Sequence, residues 1–414
     1  MSDTSTTRLP LTDAQAGVWY AQQIVPDSPV FNVGQYTDIP ADLDVDRFIR
    51  AVESVVRDSE TLRSRPVARG DTAVQEIRAD GAGVVEVHDL TAEADPRHAA
   101  AAWMRRDMAH PVRFDTDEPL VRYALLRVGE RRWYWYQRYH HILVDAYAVT
   151  LLARRVADVY TALGRGQEPP PSRFGSLADI VADETAYAAS EQCAADRAYW
   201  TGLLGDGYPT ALLSSRPQAP YAGVLRARAD VAADVLTGLT ELGERTGATW
   251  ADTVIASSAA YLSRMTGHRD VVLGIPVMGR LGRAALRTPA MVVNVLPLRV
   301  HVRPGDTVEQ VVAATAAALR DLRAHQRYRA EWLRRDLALV GTDRPLFGPE
   351  INIKLFDYDL SFDGVSATTV TLSEGPVDDL ALSVYRAPHG GLTLEANAND
   401  RRYDPADVQA RLAE

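Results

Sequence analysis

The stretch YQRYHHILVDAYAVTLL sets His140 and His141 side by side, with Asp145 four residues beyond the second histidine. Histidine is the side chain that gains and loses a proton near neutral pH, so the pair can serve acid–base chemistry. The same residue types can hold a metal, or simply fill a core. Adjacent histidines on an extended strand point to opposite faces, which lets one address a cavity while the other is buried as support. The same divergence makes it hard for both to share one ion, and no further ligand cluster accompanies them. Asp145 can orient a histidine or pair with an arginine. Acid–base, structural and metal readings all remain open on spacing alone.

The flanking sequence says what must hold these residues. PLVRYALLRVGERRWYWYQRYHH reads as two strand runs turning at Gly129-Glu130. From Tyr147 the period changes, and Ala148, Leu151, Leu152, Val156, Val159 and Tyr160 mark a helix. The histidines and Asp145 therefore lie at a strand-to-helix junction, where a rigid scaffold can carry reactive side chains. Upstream, DRFIRAVESVVRDSETLR places Phe48, Ile49, Val52, Val55, Val56 and Leu62 on one helical face. Trp133, Tyr134 and Tyr136 read as core.

GRGQEPPPSRFGS (164–176) cannot continue a helix or a central strand, and it predicts a domain boundary with units 1–175 and 176–414. Beyond it, ATWADTVIASSAAYLSRMTG reads as an amphipathic helix, DVVLGIPVMGR as a buried strand and TVEQVVAATAAALRDLRAH as another helix. DLALSVYRAPHGGLTLEANAND reads as a hairpin turning at Pro388-His389-Gly390-Gly391. Helices and strands recur in both halves, which predicts two similar α/β lobes. The chain stops at DPADVQARLAE, inside an expected helix, as an excised piece of a longer polypeptide would.

Composition narrows the function. At 414 residues two domains are expected. A formal charge of −10 argues against a nucleic-acid or anionic-membrane surface, which needs a clustered basic face. Basic residues are almost all arginine, Lys354 being the only lysine, which reads as genome composition. The single cysteine, Cys193, rules out an internal disulfide and a cysteine-rich metal site. No apolar run reaches the ~18 residues of a membrane span, and the N-terminus lacks the regions of a secretion signal, so a cytoplasmic location is expected. No phosphate-binding loop, nucleophile elbow or dinucleotide fingerprint is present.

HHILVDAY resembles the His-His-x-x-x-Asp-Gly signature of nonribosomal peptide synthetase condensation domains. LTDAQAGVWYAQ is similar to the family's opening motif at Ala14, Gln15 and Trp19, and SETLRSR resembles the second at Leu62 and Arg63. VLGIPVMGR, MVVNVLPLR and HQRYRAEWL resemble three later ones. More narrowly, RPLFGPEINIKLFDYDL, EGPVDDLALSVY and NDRRYD are similar to condensation domains of enterobactin-type siderophore synthetases, which join an aryl acid such as 2,3-dihydroxybenzoate to an amino acid.

The resemblance implies a pair of chloramphenicol-acetyltransferase-like lobes set in a V, with a tunnel between them. Carrier proteins would bring each substrate on a phosphopantetheine arm: a donor aryl or peptidyl carrier, an acceptor peptidyl carrier, and an adenylation domain adjacent in the synthetase. The N-terminus fits a polypeptide that begins here and takes its donor from a separate carrier. No cofactor is expected on the domain itself, and no metal. His141 would be the catalytic histidine and His140 its buried support. Asp145 would be structural, paired with Arg280. Ala146, Tyr147, Asn294, Asp378 and Asp379 would be candidates to line the tunnel or meet substrate, with bland alternatives: Asn294 as a strand-end bridge, the two aspartates as a solvated turn. Gln15 and Trp19 would hold the N-terminal segment, and His325 would pack. Ala146 departs from the family glycine. A positive φ there would cost about a kcal/mol, and a clearance role would narrow the tunnel. Two other functions stand beside amide synthesis: a catalytically silent docking module, and a stand-alone or ester-forming acyltransferase.

Overall fold

A computed structural model of the chain describes residues 6–413 except 80, 82–83, 210, 218–222, 356–359 and 388–389. The chain opens with β1 (Thr7–Pro10), α1 (Asp13–Ile24), β2 (Asn32–Ile39), α2 (Val45–Asp58), β3 (Ser64–Arg69), β4 (Thr72–Ile77) and β5 (Val85–Asp89). Then come α3 (Pro96–Met108), the hairpin β6 (Val121–Gly129) and β7 (Arg132–His140), and α4 (Ala146–Gly164). The second half runs α5 (Leu177–Ala188), α6 (Glu191–Leu204), β8 (Val224–Val231), α7 (Ala233–Thr246), α8 (Trp250–Thr266), β9 (Asp270–Val277) and α9 (Arg283–Arg287). It continues with β10 (Asn294–His301), α10 (Val308–Ala324), α11 (Ala330–Asp336), β11 (Glu350–Lys354), β12 (Leu360–Phe362) and β13 (Val365–Ser373). The last elements are β14 (Leu380–Arg386), β15 (Leu392–Asn399) and α12 (Pro405–Ala413).

These elements form two compact α/β units, in keeping with the expected class. In the first, six strands are ordered β12-β13-β2-β7-β6-β5, antiparallel except for the β5–β6 pair. A small sheet β1-β4-β3 accompanies them. β7 is buried on both faces because helices cover both. Trp135 packs edge-on against Phe48 of α2 at 5.2 Å, and Phe48 also meets Tyr160 of α4. On the other face, Tyr136 meets Trp103 of α3 at 5.3 Å. The second unit has the order β10-β9-β11-β14-β15-β8, with β11 parallel to both neighbours. Val271, Leu273 and Ile275 of β9 and Leu296, Leu298 and Val300 of β10 pack under Ile255, Leu262, Leu319 and Leu322 of α8 and α10.

The expected boundary at 175/176 differs from the observed division. The first unit comprises residues 1–186, 280–292 and 356–375, and the second comprises 187–279, 293–355 and 376–414. The proline-rich stretch is irregular as expected, but α5 begins beyond it with Leu177 and Ile180 packed among Ile77, Ala290 and Val292. Residues 280–292 stay with the first unit because Thr12 and Thr61 donate their hydroxyls to the Met291 and Pro289 carbonyls. Residues 360–375 stay there because β13 pairs with β2, Thr368 opposite Asp38. Such returns are set by long-range pairing, which local composition does not report.

Smaller departures have local causes. Leu62 lies outside α2, in a short turn of 3-10 helix at Thr61–Arg63, because Ser59 adopts extended dihedrals and ends the helix. Helix α8 is buried from Ala251 to Ala256 without interruption rather than along one stripe, since α7 and α10 both pack on it. The expected hairpin joins β14 to β15 antiparallel, while Pro388 and His389 of its turn lie outside the described residues. The same holds for Asp357, Tyr358 and Asp359 of the siderophore-like segment. No described helix is long and apolar enough to cross a membrane.

Candidate active site

The site is built where β7 ends and α4 begins. β7 pairs with β2 so that His140 lies opposite Asn32. The chain then turns, and the His141 N–H donates to the Phe31 carbonyl at 2.8 Å. Helix α4 starts at Ala146 with Asp145 as its cap.

Asp145 is buried and fully used. Its Oδ1 accepts the Ala148 N–H at 2.9 Å and Arg280 Nη2 at 2.9 Å. Its Oδ2 accepts Arg280 Nη1 at 2.7 Å and the Val292 N–H at 3.2 Å. The bidentate fork fixes both groups in a plane. Arg280 Nη2 also donates to the Ala290 carbonyl at 2.9 Å, and the guanidinium lies 4.6 Å from the Tyr147 ring centroid. The Tyr147 hydroxyl donates to the Leu286 carbonyl at 3.1 Å. One carboxylate thus caps the helix and clasps both ends of segment 280–292.

The two histidines have opposite tautomers. The Ile142 N–H donates to His140 Nδ1 at 3.2 Å, so that nitrogen is the acceptor, and Nε2–H points to Gln22 Oε1 at 3.0 Å. Protonation would set two donors against each other at Nδ1. His140 is 1% exposed and lies between Phe31 and Phe114. Burial, reinforced by neighbouring His141 and Arg138, holds its pKa down at about 3. His141 is half-buried, and its Nδ1 lies 2.8 Å from the Val144 carbonyl. A carbonyl only accepts, so Nδ1 carries the proton and the Nε2 lone pair is left available. Among the described residues Nε2 has no hydrogen-bond partner, and it is not sealed from solvent. Gly375, buried and at φ +100°, faces the Cδ2–Nε2 edge of the same ring.

Ala146 occupies the first turn of α4 and is exposed. Among the described residues only Ala338 and Asp363 combine a side chain with positive φ, so an alanine at 146 carries no left-handed strain.

Of the other candidates, Asn294 and Asp379 are bonded to neighbours within the second unit. Asn294, placed by its sequence among possible substrate contacts, spends its amide on main chain. Nδ2 donates to the Tyr328 carbonyl at 2.9 Å and the Gln326 carbonyl at 3.4 Å, and Oδ1 accepts the Ala330 N–H at 3.1 Å. Asp379 is buried against Arg402 and the Tyr403 hydroxyl, both 2.9 Å from Oδ1. Burial raises its pKa, while Arg402 and Tyr403 oppose the rise. Asp378 is exposed beside it. His325 Nδ1 pairs with buried Asp196 at 2.7 Å and its ring stacks on Tyr199 at 4.0 Å. Gln15 caps α1 reciprocally with Thr12, and Trp19 is buried. Gln22, Phe31 and Gly375 are the residues that sequence reading passed over. Only Gly375 carried a signal, the Gly-Pro step in EGPVDD.

Among the described residues no three histidine, cysteine or acidic side chains gather as metal ligands. A sequence profile for condensation domains matches residues 5–413. The chain belongs to the condensation-domain family. It is 40% identical over 410 residues to a dimodular nonribosomal peptide synthase of Bacillus subtilis, covering 99% of this chain and 17% of that protein. It is 43% identical over 409 residues to an isonitrile lipopeptide synthase of Streptomyces coeruleorubidus, covering 98% and 28%. Against enterobactin synthase component F of Escherichia coli K12 it is 36% identical over 402 residues, covering 96% and 31%. The chain therefore spans less than a third of each of these relatives. Among solved structures, the starter condensation domain of rhizomide synthetase, in a variant complexed with C8-CoA, matches with a TM-score of 0.92 at 40% identity, covering 98% of this chain and 93% of that one. The first condensation domain of the calcium-dependent antibiotic synthetase matches with a TM-score of 0.89 at 34% identity, covering 98% and 94%. Condensation domains of such synthetases are acyltransferases that form amide bonds between carrier-bound substrates.

Two outcomes follow from the geometry. His140 is neutral when folded and takes up a proton below about pH 6.5 when unfolded, so the unfolded chain binds more protons between about pH 6.5 and 3. Stability then falls as pH drops through that window, by up to ~1.4 kcal/mol per pH unit for one group. Urea unfolding at a series of pH values is expected to show this component in the native chain and lose it in His140→Gln. Ala146→Gly, which restores the family glycine, is expected to leave turnover within about two-fold. It should lower stability by about 0.5 kcal/mol, because glycine at an unstrained helical position only adds chain entropy; the same unfolding assay checks it.

Proposed function

We propose that this chain joins a donor acyl thioester to the amine of an acceptor aminoacyl thioester, each held on the phosphopantetheine arm of a carrier protein. The amine nitrogen bonds to the acyl carbon, the C–S bond breaks, and the donor arm leaves as a thiol. His141 Nε2 would accept the hydrogen bond or proton of the attacking amine. The observation that carries this reading is the tautomer: Nδ1–H is tied to Val144, so the lone pair lies on the nitrogen that has no partner among the described residues. His140 would hold the junction from below, and the Asp145–Arg280 pair would keep it rigid. No cofactor takes part, and pantetheine arrives with the partners. Alignment of two tethered thioesters supplies much of the acceleration in such a reaction, since positioning is worth several kcal/mol. The setting is the cytoplasm, beside an adenylation domain of the same synthetase.

For the donor we propose an aryl acid of the 2,3-dihydroxybenzoyl type, as in siderophore assembly. The support is the run of motifs shared with enterobactin-type domains together with 36% identity to enterobactin synthase component F. A fatty-acyl donor is the second reading, favoured by the likeness to a starter condensation domain complexed with C8-CoA and to an isonitrile lipopeptide synthase. The docking-module reading rested on Ala146, and an unstrained, exposed alanine gives it no support.

Reconstitution tests all three. Donor carriers loaded with 2,3-dihydroxybenzoyl, benzoyl, octanoyl or a dipeptidyl group would be mixed with an acceptor carrier bearing a panel of amino acids. Intact mass spectrometry would follow the acceptor. A mass gain with the aryl donor, reduced ~10²–10⁴-fold in His141→Ala, is the expected result. Gain with octanoyl alone would favour the fatty-acyl reading. No gain with any donor, while both carriers still bind, would leave the docking module.

A further inference from the structure

The imidazole of His141 is held from two sides, and only one of them is a hydrogen bond. Val144 fixes Nδ1. On the opposite edge of the ring lies Gly375. A Cβ built on Gly375 would come within 2.8 Å of His141 Cδ2 and 3.3 Å of Nε2, with Val33 Cγ1 at 3.6 Å behind it. A contact of 2.8 Å is one that real Cβ atoms essentially never make, so a side chain at 375 forces a shift where it meets the ring. The ring cannot yield without rotating away from the Val144 carbonyl, since that bond sets its orientation.

The sheet explains how a residue so distant in sequence arrives there. β13 runs antiparallel to β2, and the register shifts between Thr371 and Ser373, where Ser373 meets Gly34. The Gly375 N–H then donates to the Ser373 hydroxyl at 3.3 Å, curling the chain over the end of β2. That end is where the Phe31 carbonyl accepts the His141 N–H. At φ +100° the backbone is in a region that glycine enters freely and other residues rarely do. Two independent demands, the dihedral and the missing Cβ, thus meet at one position beside one ring.

We propose that Gly375 is a positioning residue for the condensation reaction. It sets the orientation of His141 by packing its bare Cα against the Cδ2–Nε2 edge, and it leaves Nε2 uncovered for the acceptor amine. Gly375 touches no reacting atom and acts through the histidine. The inference rests on the reading of His141 as the catalytic group.

The test separates ring displacement from backbone strain. Gly364 also has positive φ, +84°, but a Cβ there meets nothing within 4 Å. Gly375→Ala and Gly364→Ala therefore carry similar strain, and only the first pushes on His141. In the reconstituted assay Gly375→Ala is expected to lower kcat about 10²-fold, with KM for both carriers within about two-fold, because a small misplacement of a reacting group costs that much. Gly364→Ala is expected to keep kcat while losing a comparable amount of thermal stability. Nitrogen-15 spectra of histidine-labelled protein, with the His141 signal assigned by its absence in His141→Ala, should show one Nδ1–H tautomer in the native chain and in Gly364→Ala, and a mixture in Gly375→Ala. Should Gly375→Ala fail to fold, the native chain still decides. A cross-peak between the His141 ring proton on Cδ2 and the Gly375 α-protons is expected, and its absence overturns the inference. Unchanged kcat in Gly375→Ala, or an equal loss in Gly364→Ala, overturns it as well. If instead His141→Ala keeps full activity, the catalytic reading of His141 fails, whatever the contact at Gly375.

Discussion

The Asp145 carboxylate is the point on which this site depends. Its two oxygens accept four hydrogen bonds: two from the guanidinium of Arg280, one from the first turn of α4 and one from the backbone of Val292. A charge buried this completely is tolerable only because each lone pair is answered. Replacing the pair with apolar groups of the same shape could be neutral for stability, but removing one member strands the other, at a cost of about 3–5 kcal/mol. The pair also ties the helix start, the strand end and the returning segment 280–292 into one rigid corner. Val144, whose carbonyl orients His141, is the residue immediately before it.

From that corner follows a division of labour between neighbouring histidines. His140 donates inward to Gln22 and accepts from Ile142, which keeps it neutral and immobile. His141 donates to a carbonyl and leaves its second nitrogen without a hydrogen-bond partner among the described residues. The two rings differ in tautomer because their partners differ, and their partners differ because the strand ends between them. A histidine that must take a proton needs a lone pair in the open. A histidine that must support it needs both nitrogens satisfied.

The parts legible in sequence are those whose signal is local. The change of period at Tyr147 marked the strand-to-helix junction, and an aspartate just ahead of a helical run is a cap by its chemistry. The ordered motifs gave the family, because each is a short run of residues. Residues brought home by the sheet were not legible. Segment 280–292 joins the first unit through the Asp145–Arg280 pair, which the family resemblance implied, and through bonds to Thr12 and Thr61, which no local pattern announces. Asn294 and Asp379 stood in suggestive motifs; the Asn294 amide answers main chain, while Asp379 meets Arg402 and Tyr403 through Oδ1 alone and its buried Oδ2 has no hydrogen-bond partner among the described residues. A polar residue in a motif can hold a turn or meet a ligand, and the partner's position distinguishes the two. Gly375 was hidden for the opposite reason, since its contribution is the side chain that it lacks.

The most direct test of the account is a paired measurement on Asp145→Asn: the free energy of urea unfolding and the single-turnover rate of amide formation, in the same preparation. An asparagine cannot accept the guanidinium fork with both atoms, so the corner should loosen. The account predicts that stability and rate fall together, while the KM for each carrier stays near its native value. A variant as stable as the native chain but inactive would place Asp145 in the chemistry itself. Native activity on a destabilised fold would mean that the rigid corner does not position His141.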